Sequence, residues 1–169
     1  MTNNDNILYQ EVQYFRQLWF CILIIIIAGF AIFAMVQQLI IGKPFGENPA
    51  PDTVMIAIGV LIGFGLPIFL FTMRLITEVR SDGLYFRLFP FHFSFHKIAF
   101  WDMRNYEVRT YRAIKDYGGW GIRYGKEGKA YNVSGNKGVQ LELSNGEKIL
   151  IGSQRAEELA SAIASASKK

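Results

Sequence analysis

Cysteine is almost missing from this sequence: Cys21 stands alone, inside a long apolar run. That excludes an intrachain disulfide, a Cys-x-x-Cys metal site and an exposed thiol nucleophile. Histidine is nearly as scarce, with only His92 and His96. In extended chain they share a face about 13 Å apart, at about 3.3 Å per residue. Metal ligands sit at about 2 Å, so neither a metal nor any other cofactor is expected. No serine has a base at a recognisable spacing. Asp82, Asp102 and Asp116 sit beside turn-forming residues, where aspartate commonly bonds its own backbone. The expectation is a protein that is not an enzyme.

Phosphate-binding loops are also lacking. YGGWGIRYGKEGK, residues 117–129, combines glycines and cations but fits neither nucleotide motif. A P-loop needs G-x-x-x-x-G-K-[ST], and Gly125-Lys126 has Trp120 five positions earlier and Glu127 after it. The dinucleotide fingerprint fails at Tyr124 and has no helical pattern behind it. Here the glycines are expected to make turns: Gly118-Gly119 entering a strand, Gly125 and Gly128 bracketing a hairpin tip, with Lys126, Glu127 and Lys129 in solvent.

What is abundant is apolar length; 51% of the residues are hydrophobic. LWFCILIIIIAGFAIFAMV, residues 18–36, and VMIAIGVLIGFGLPIFLFTM, residues 54–73, carry no charge. About 20 residues at about 1.5 Å rise cover the roughly 30 Å hydrocarbon core of a bilayer. Two transmembrane helices are expected, 18–41 and 54–74, joined by a short outer loop, 42–53. The first run is too long, and its flank too poor in cations, for a cleaved signal peptide. Lys43 is the loop's one cation, whereas Arg74, Arg80 and Arg87 follow the second span. The positive-inside rule then puts both termini on the cytoplasmic side of the plasma membrane.

Gly59-x-x-x-Gly63 makes a small-residue face on the second span, and Ala28, Ala31 and Ala34 answer it on the first. These faces suit either packing of the spans on each other or docking to another membrane protein or a second copy. Pro67 is expected to kink the second helix. Neither span carries an ionisable group, which argues against a proton or ion path. Before the spans, residues 1–17 read as an amphipathic lead-in at the membrane surface. Ile7, Leu8, Val12 and Phe15 fall near helical spacing, with Tyr9, Tyr14 and Trp19 as an aromatic belt.

After residue 73 the period changes to two. Strands are expected at 75–79, 84–89, 98–101, 105–110, 121–124 and 130–133. VQLELSNGEKILIG, residues 139–152, reads as a hairpin with a three-residue loop, Ser144-Asn145-Gly146, and Gly146 left-handed. Leu141 then faces Ile149, Val139 faces Ile151, and Glu142 opposes Lys148. A final helix carries an apolar stripe of Ala156, Leu159, Ala160, Ile163 and Ala166. Ser153 stands as its cap, with Glu157 and Glu158 near one end and Lys168-Lys169 near the other.

About seven short antiparallel strands followed by one helix is the element order of a pleckstrin-homology-like (PH-like) barrel. VRSDGLYFRLFP resembles the opening hairpin of PH-like domains in small prokaryotic membrane proteins. EVQYFRQLW, GGWGIRY, AYNVSGNKGVQLEL and GEKILIGSQRAEELASAI resemble an uncharacterised prokaryotic family of two-span membrane proteins carrying that domain. The resemblance implies an α+β membrane protein: a transmembrane hairpin, then a cytoplasmic PH-like domain over 75–169. It implies no reaction.

The charge is uneven. Residues 74–169 hold 16 Lys+Arg against 10 Asp+Glu, whereas residues 1–73 hold two against four. The surplus peaks between Arg104 and Lys137, interleaved with Tyr106, Tyr111, Tyr117, Trp120 and Tyr124. Such a face suits anionic headgroups of the inner leaflet or an acidic membrane-protein partner; nucleic acid is not expected at a tethered domain. The candidate contacts are Arg109, Arg112, Lys115, Trp120, Arg123, Lys126 and Lys129. The expected role is a membrane-anchored binding or scaffold module. The alternative is a subunit of a larger membrane complex docked through the glycine face.

Overall fold

A computed structural model describes residues 7–168. Residues 1–6 of the expected lead-in, and Lys169, lie outside the described residues. The chain divides into two units, Arg16–Thr72 and Met1–Phe15 with Met73–Lys169.

The inserted unit is a pair of apolar helices. Helix α1 is Leu18–Leu39, with Ala28, Ala31 and Ala34 among its buried residues. The second helix, Asp52–Thr72, has three parts: α2 (Asp52–Ile58), a π-helical segment (Gly59–Gly65) and α3 (Leu66–Thr72). Both helices are long and apolar enough to cross a membrane. Ile25, Ile26, Phe30 and Phe33 of the first, and Val60, Leu61, Phe64 and Ile68 of the second, stay exposed.

Gly59 and Gly63 are buried against α1. A Cβ on Gly63 would lie 2.6 Å from Ile32 Cγ1, and one on Gly59 would overlap the Met35 thioether. The glycine face is therefore filled within the chain. The π segment occupies the turns just before Pro67, where Leu66 N–H donates to Leu61 C=O, five residues back. Proline has no N–H to donate and its ring crowds the carbonyl four residues earlier, here that of Gly63, so a widened turn accommodates it. The linker is pinned by Gln38, whose Nε2 donates to Ala50 O (2.7 Å) and Asp52 Oδ1 (2.8 Å). Phe45 packs edge-on against Phe30 and Phe33.

The other unit holds nine strands among the described residues, in two sheets. The first sheet is a meander of β1 (Ile7–Tyr14), β2 (Arg74–Arg80), β3 (Gly83–Phe89) and β4 (His96–Ala99), in that order. The second comprises β5 (Met103–Thr110), β6 (Gly121–Gly125), β7 (Gly128–Asn132), β8 (Lys137–Leu143) and β9 (Lys148–Gly152). Its order is β5-β8-β9-β7-β6. A short helix α4 (Ala113–Tyr117) precedes β6, and α5 (Ala156–Ala166) ends the unit. The architecture is α+β, but the two sheets do not join into a barrel. Nor is it wholly antiparallel: β7 runs parallel to β9, with Ala130 beside Leu150.

The β8–β9 hairpin has the register its sequence dictates. Leu141 pairs with Ile149, Val139 with Ile151 and Glu142 with Lys148. Gly146 takes a φ of +83°.

The lead-in is a strand, not a surface helix. Residues 7–14 alternate between faces and pair antiparallel with β2, from Ile7 beside Arg80 to Tyr14 beside Arg74. Glu11 and Gln13 point inward and are buried. That is why the period was masked: the inward set includes two polar side chains. Their partners lie at the far end of the chain. Glu11 Oε2 accepts from Ser153 Oγ (2.6 Å) and Tyr9 Oη (2.9 Å), and Oε1 accepts from Gln154 N–H (2.9 Å). Gln13 Nε2 donates to Gly152 O at 2.7 Å. Burial, with the neighbouring carboxylate adding to it, pushes the Tyr9 phenol up to about 12. Ser153 is not the helix cap; the N-cap position of α5 is Arg155, and Ser153 Oγ accepts its N–H at 3.0 Å.

The core fills the space between the sheets. Leu75, Val79, Leu84 and Leu88 come from the first, and Val139, Leu141 and Ile151 from the second, while Leu150 faces the other way into a cluster with Tyr111, Ala113, Tyr117 and Ala130. Leu159 and Ile163 of α5 close it and are fully buried.

Two outcomes are expected from this packing. Glu11→Ala strips the acceptor from two groups beside α5, at a cost of about 2–4 kcal/mol. It should lower the thermal midpoint of the full chain in detergent by at least about 10 °C, whereas Val12→Ala on the outer face should cost far less. Gly63→Leu forces α1 away from the second helix and should cost about 1–3 kcal/mol, read as lost resistance to unfolding in detergent. An unchanged midpoint in either variant would contradict the packing described.

Candidate functional site

The sheets separate where β4, the edge of the first, faces the β6–β7 hairpin of the second. A cleft of about 700 Å³ opens there. It exists because β4 has no further strand to pair with in its sheet. Phe86 and Tyr131, in contact at 4.6 Å between centroids, bridge the two sheets beneath it. Lys126 and Lys129 enter from the β6–β7 hairpin, whereas Lys97 and Lys148 border the cleft along β4 and β9 with their ammonium groups on the outer faces of the two sheets. One carboxylate, Glu147, lines the wall.

The lysines are held differently. Lys129 Nζ lies over two aromatic rings, 5.4 Å from the centroid of Tyr124 and 4.9 Å from that of Tyr131. Cation–π attraction positions this ammonium without neutralising it. Contacts with both tyrosines, outweighing partial desolvation, hold it above the ordinary lysine value. Lys97 Nζ pairs with Asp82 at 2.6 Å, on an exposed rim. Lys148 Nζ lies 3.7 Å from Glu127. Lys126 is exposed at the hairpin tip.

The hairpin geometry depends on Gly128. Its φ is +93°, and a Cβ there would overlap the carbonyl of Lys148 on β9. The parallel approach of β7 to β9 thus needs glycine at this position, and it delivers Lys126 and Lys129 to the cleft. Gly118, with φ +71°, ends α4 in the left-handed conformation. The glycines of residues 117–129 are turn and close-approach residues.

The histidines are not 13 Å apart. Residues 90–95 turn rather than continue as strand, and the rings of His92 and His96 come to 4.0 Å between centroids. His96 stacks on Phe86 and lines the cleft; His92 lies 5.6 Å from the Tyr131 ring. Burial, then the nearby His96 and Lys129, hold the His92 imidazole below its ordinary value. The positive field of the cleft thus reaches this ring. Among the described residues, no group of three or more His, Cys, Asp or Glu side chains could hold a metal ion.

The structure distributes the sequence candidates over different environments. Lys126 and Lys129 line the cleft. Arg109 lies outside it, 3.4 Å from Glu127 and 3.5 Å from Gln140. Glu127 is not simply solvated, since it reaches both Arg109 and Lys148. Arg112 and Lys115 are exposed on and before α4, beside an exposed Ile114. Arg123 Nε donates to Trp120 O at 2.9 Å. Trp120 is partly buried and meets Phe15 edge-on at 6.2 Å, packed against Tyr111, Tyr117 and Leu150. That ring is committed to the core and does not project as an anchor. Sequence reasoning missed Phe86, His96 and Tyr131, whose rings line the cleft from strands distant in the chain.

No curated protein matches this chain. The profile of DUF6141, a family of unknown function, matches residues 2–169, and the chain belongs to that family.

Proposed function

We propose that this protein is a non-enzymatic, membrane-anchored binding module whose cleft takes an anionic group. One observation carries the reading: Lys126 from the hairpin tip and Lys129 from β7 reach a cleft floored by Phe86 and Tyr131, with a single carboxylate, Glu147, in its wall. A phosphate or carboxylate there would gain charge-assisted hydrogen bonds and an aromatic floor. The headgroup of an inner-leaflet lipid or an acidic segment of a membrane protein supplies that chemistry. The lining offers no nucleophile beside a base and no carboxylate pair.

Membrane anchoring is supported by the apolar exposed faces of both helices, which lipid would solvate without cost. It is also supported by chain geometry. Phe15 N–H donates to Met73 O at 3.2 Å, so the chain leaves and rejoins the folded unit at one place. An insert that starts and ends at one place crosses a bilayer an even number of times. With Arg74, Arg80 and Arg87 just after the second helix, that side is the cytoplasmic one. A tether keeps headgroups at high effective concentration, so a weak site would be occupied.

A PH-like origin of the folded unit has topological support. Strands β1 to β4 form a four-strand meander, and β5, β8 and β9 a second meander followed by α5. On this reading the helical hairpin is inserted between the first two strands, and α4 with β6–β7 between the fifth and the next. Docking as a subunit through Gly59 and Gly63 is less favoured, because α1 fills that face.

The test uses the full chain in lipid nanodiscs and the NMR signals of its two histidines. Adding inorganic pyrophosphate, or replacing neutral by anionic lipid, should move both signals and raise the titration midpoint of His92. An anion offsets the field that now disfavours its protonated form. Lys126→Glu with Lys129→Glu should weaken the response more than tenfold, about 1.4 kcal/mol. Signals that ignore both probes at low salt would overturn the proposal.

A further inference from the structure

The β3–β4 connection, residues 90–95, reads PFHFSF, and none of it lines the cleft, which begins at His96. Phe93 is 82% exposed and Phe91 52% exposed. The strand register fixes where this loop stands. Phe89, the residue before it, pairs with Arg74, the first residue of β2, and Arg74 pairs with Tyr14, the last residue of β1. Phe15 and Met73, the next residues along those strands, are where the chain leaves for and returns from the apolar helices. The loop is therefore at the end of the first sheet from which those helices depart.

That end has the composition of an interface. Tyr14 joins Phe91 and Phe93 as exposed aromatic surface. Arg74 Cζ sits 5.5 Å from the Phe89 ring, whose edge contact with Phe93 is 6.3 Å. Arg87 Nη1 donates to Phe93 O at 3.4 Å, and its Cζ lies 4.8 Å from the Phe95 ring. At the opposite end of the same sheet the Ser81-Asp82-Gly83 turn carries an acid, and that end's exposed aromatic, Trp101, lies beside Lys97, which pairs with that acid, rather than beside arginines. Aromatic rings backed by arginines suit the headgroup boundary, where a ring is half solvated by lipid and the guanidinium meets phosphate. Fully aqueous phenylalanines gain nothing there.

We infer that the Phe91–Phe93 loop is a foot that inserts into the interfacial zone of the lipid surface this chain is anchored in. The inference rests on the membrane reading of the two helices. Insertion would fix the orientation of the first sheet at the bilayer and hold β4, the cleft's edge, near the headgroups.

The test uses the full chain with Cys21→Ser, which removes the one native thiol, in nanodiscs of mixed neutral and anionic lipid. Nitroxide labels are placed singly by Phe93→Cys, Ser81→Cys and Ile26→Cys. Collision with oxygen, which partitions into lipid, is compared with collision with a water-soluble nickel chelate. The label at 93 should favour oxygen, the label at 81 the nickel chelate, and the label at 26 should report hydrocarbon. Phe91→Ser in the same chain should shift the label at 93 toward the aqueous reagent. If 26 is in lipid while 93 is as aqueous as 81, the foot is wrong although the anchor stands. A label at 93 shielded from both reagents would mean that protein covers the loop, which overturns the lipid assignment. If 26 is aqueous, the anchor and the foot fail together.

Discussion

The pairing of β1 with β2 is the constraint on which the other features depend. These strands are neighbours in the sheet but lie on either side of the whole apolar insert. The folded unit is thus closed through the helical hairpin. Its first strand must wait for the chain to return before it can pair. Once paired, Glu11 and Gln13 reach the start of α5 and the end of β9, so the two ends of the chain lock together. A buried carboxylate that accepts three hydrogen bonds is costly to leave unpaired, which gives this closure its specificity. Sheet, helix and the departure points of the insert are set by one seam.

The seam also explains why the corner opposite it is open. With β1 on one edge of the first sheet, β4 is left as the other edge. The second sheet does not extend to meet it. Its β9 edge is instead taken by β7, in parallel, and β6 follows. The β6–β7 hairpin walls a cleft instead of continuing a barrel. Gly128 permits the approach, and the lysines arrive as a consequence.

Much of this was legible in the sequence because the signals were local. Residues 139–152 carry their own register in the position of Asn145-Gly146, and the stripe of α5 depends only on spacing. The apolar helices needed only length. Strand β1 was not legible, since half of its inward face is polar and its partners are Thr77, Ser153 and Gln154. Out of that context, Ile7, Leu8, Val12 and Phe15 imitate a helix. The histidine pair was misjudged for a related reason: extended chain was expected there, and the turn over residues 90–95 that folds His92 back on His96 has no local periodic signal. The basic stretch was visible as composition, yet composition does not say that Trp120 turns inward to Phe15 while Lys126 and Lys129 reach the cleft.

The electrostatics of the cleft argue for a modest, reversible contact. Lys97 is held by Asp82 and Lys148 by Glu127 on the outer faces of the sheets, which leaves Lys126 and Lys129 to meet an anion. Lys129 is fixed over Tyr124 and Tyr131 and keeps its charge available. Exposed charge pairs are worth little, and salt screens what attraction two lysines at an open cleft supply. A free protein with such a site would bind weakly at low ligand concentration. On the proposed membrane-anchored reading, such a site would need no more affinity than this, because the local density of headgroups and membrane proteins would do the rest.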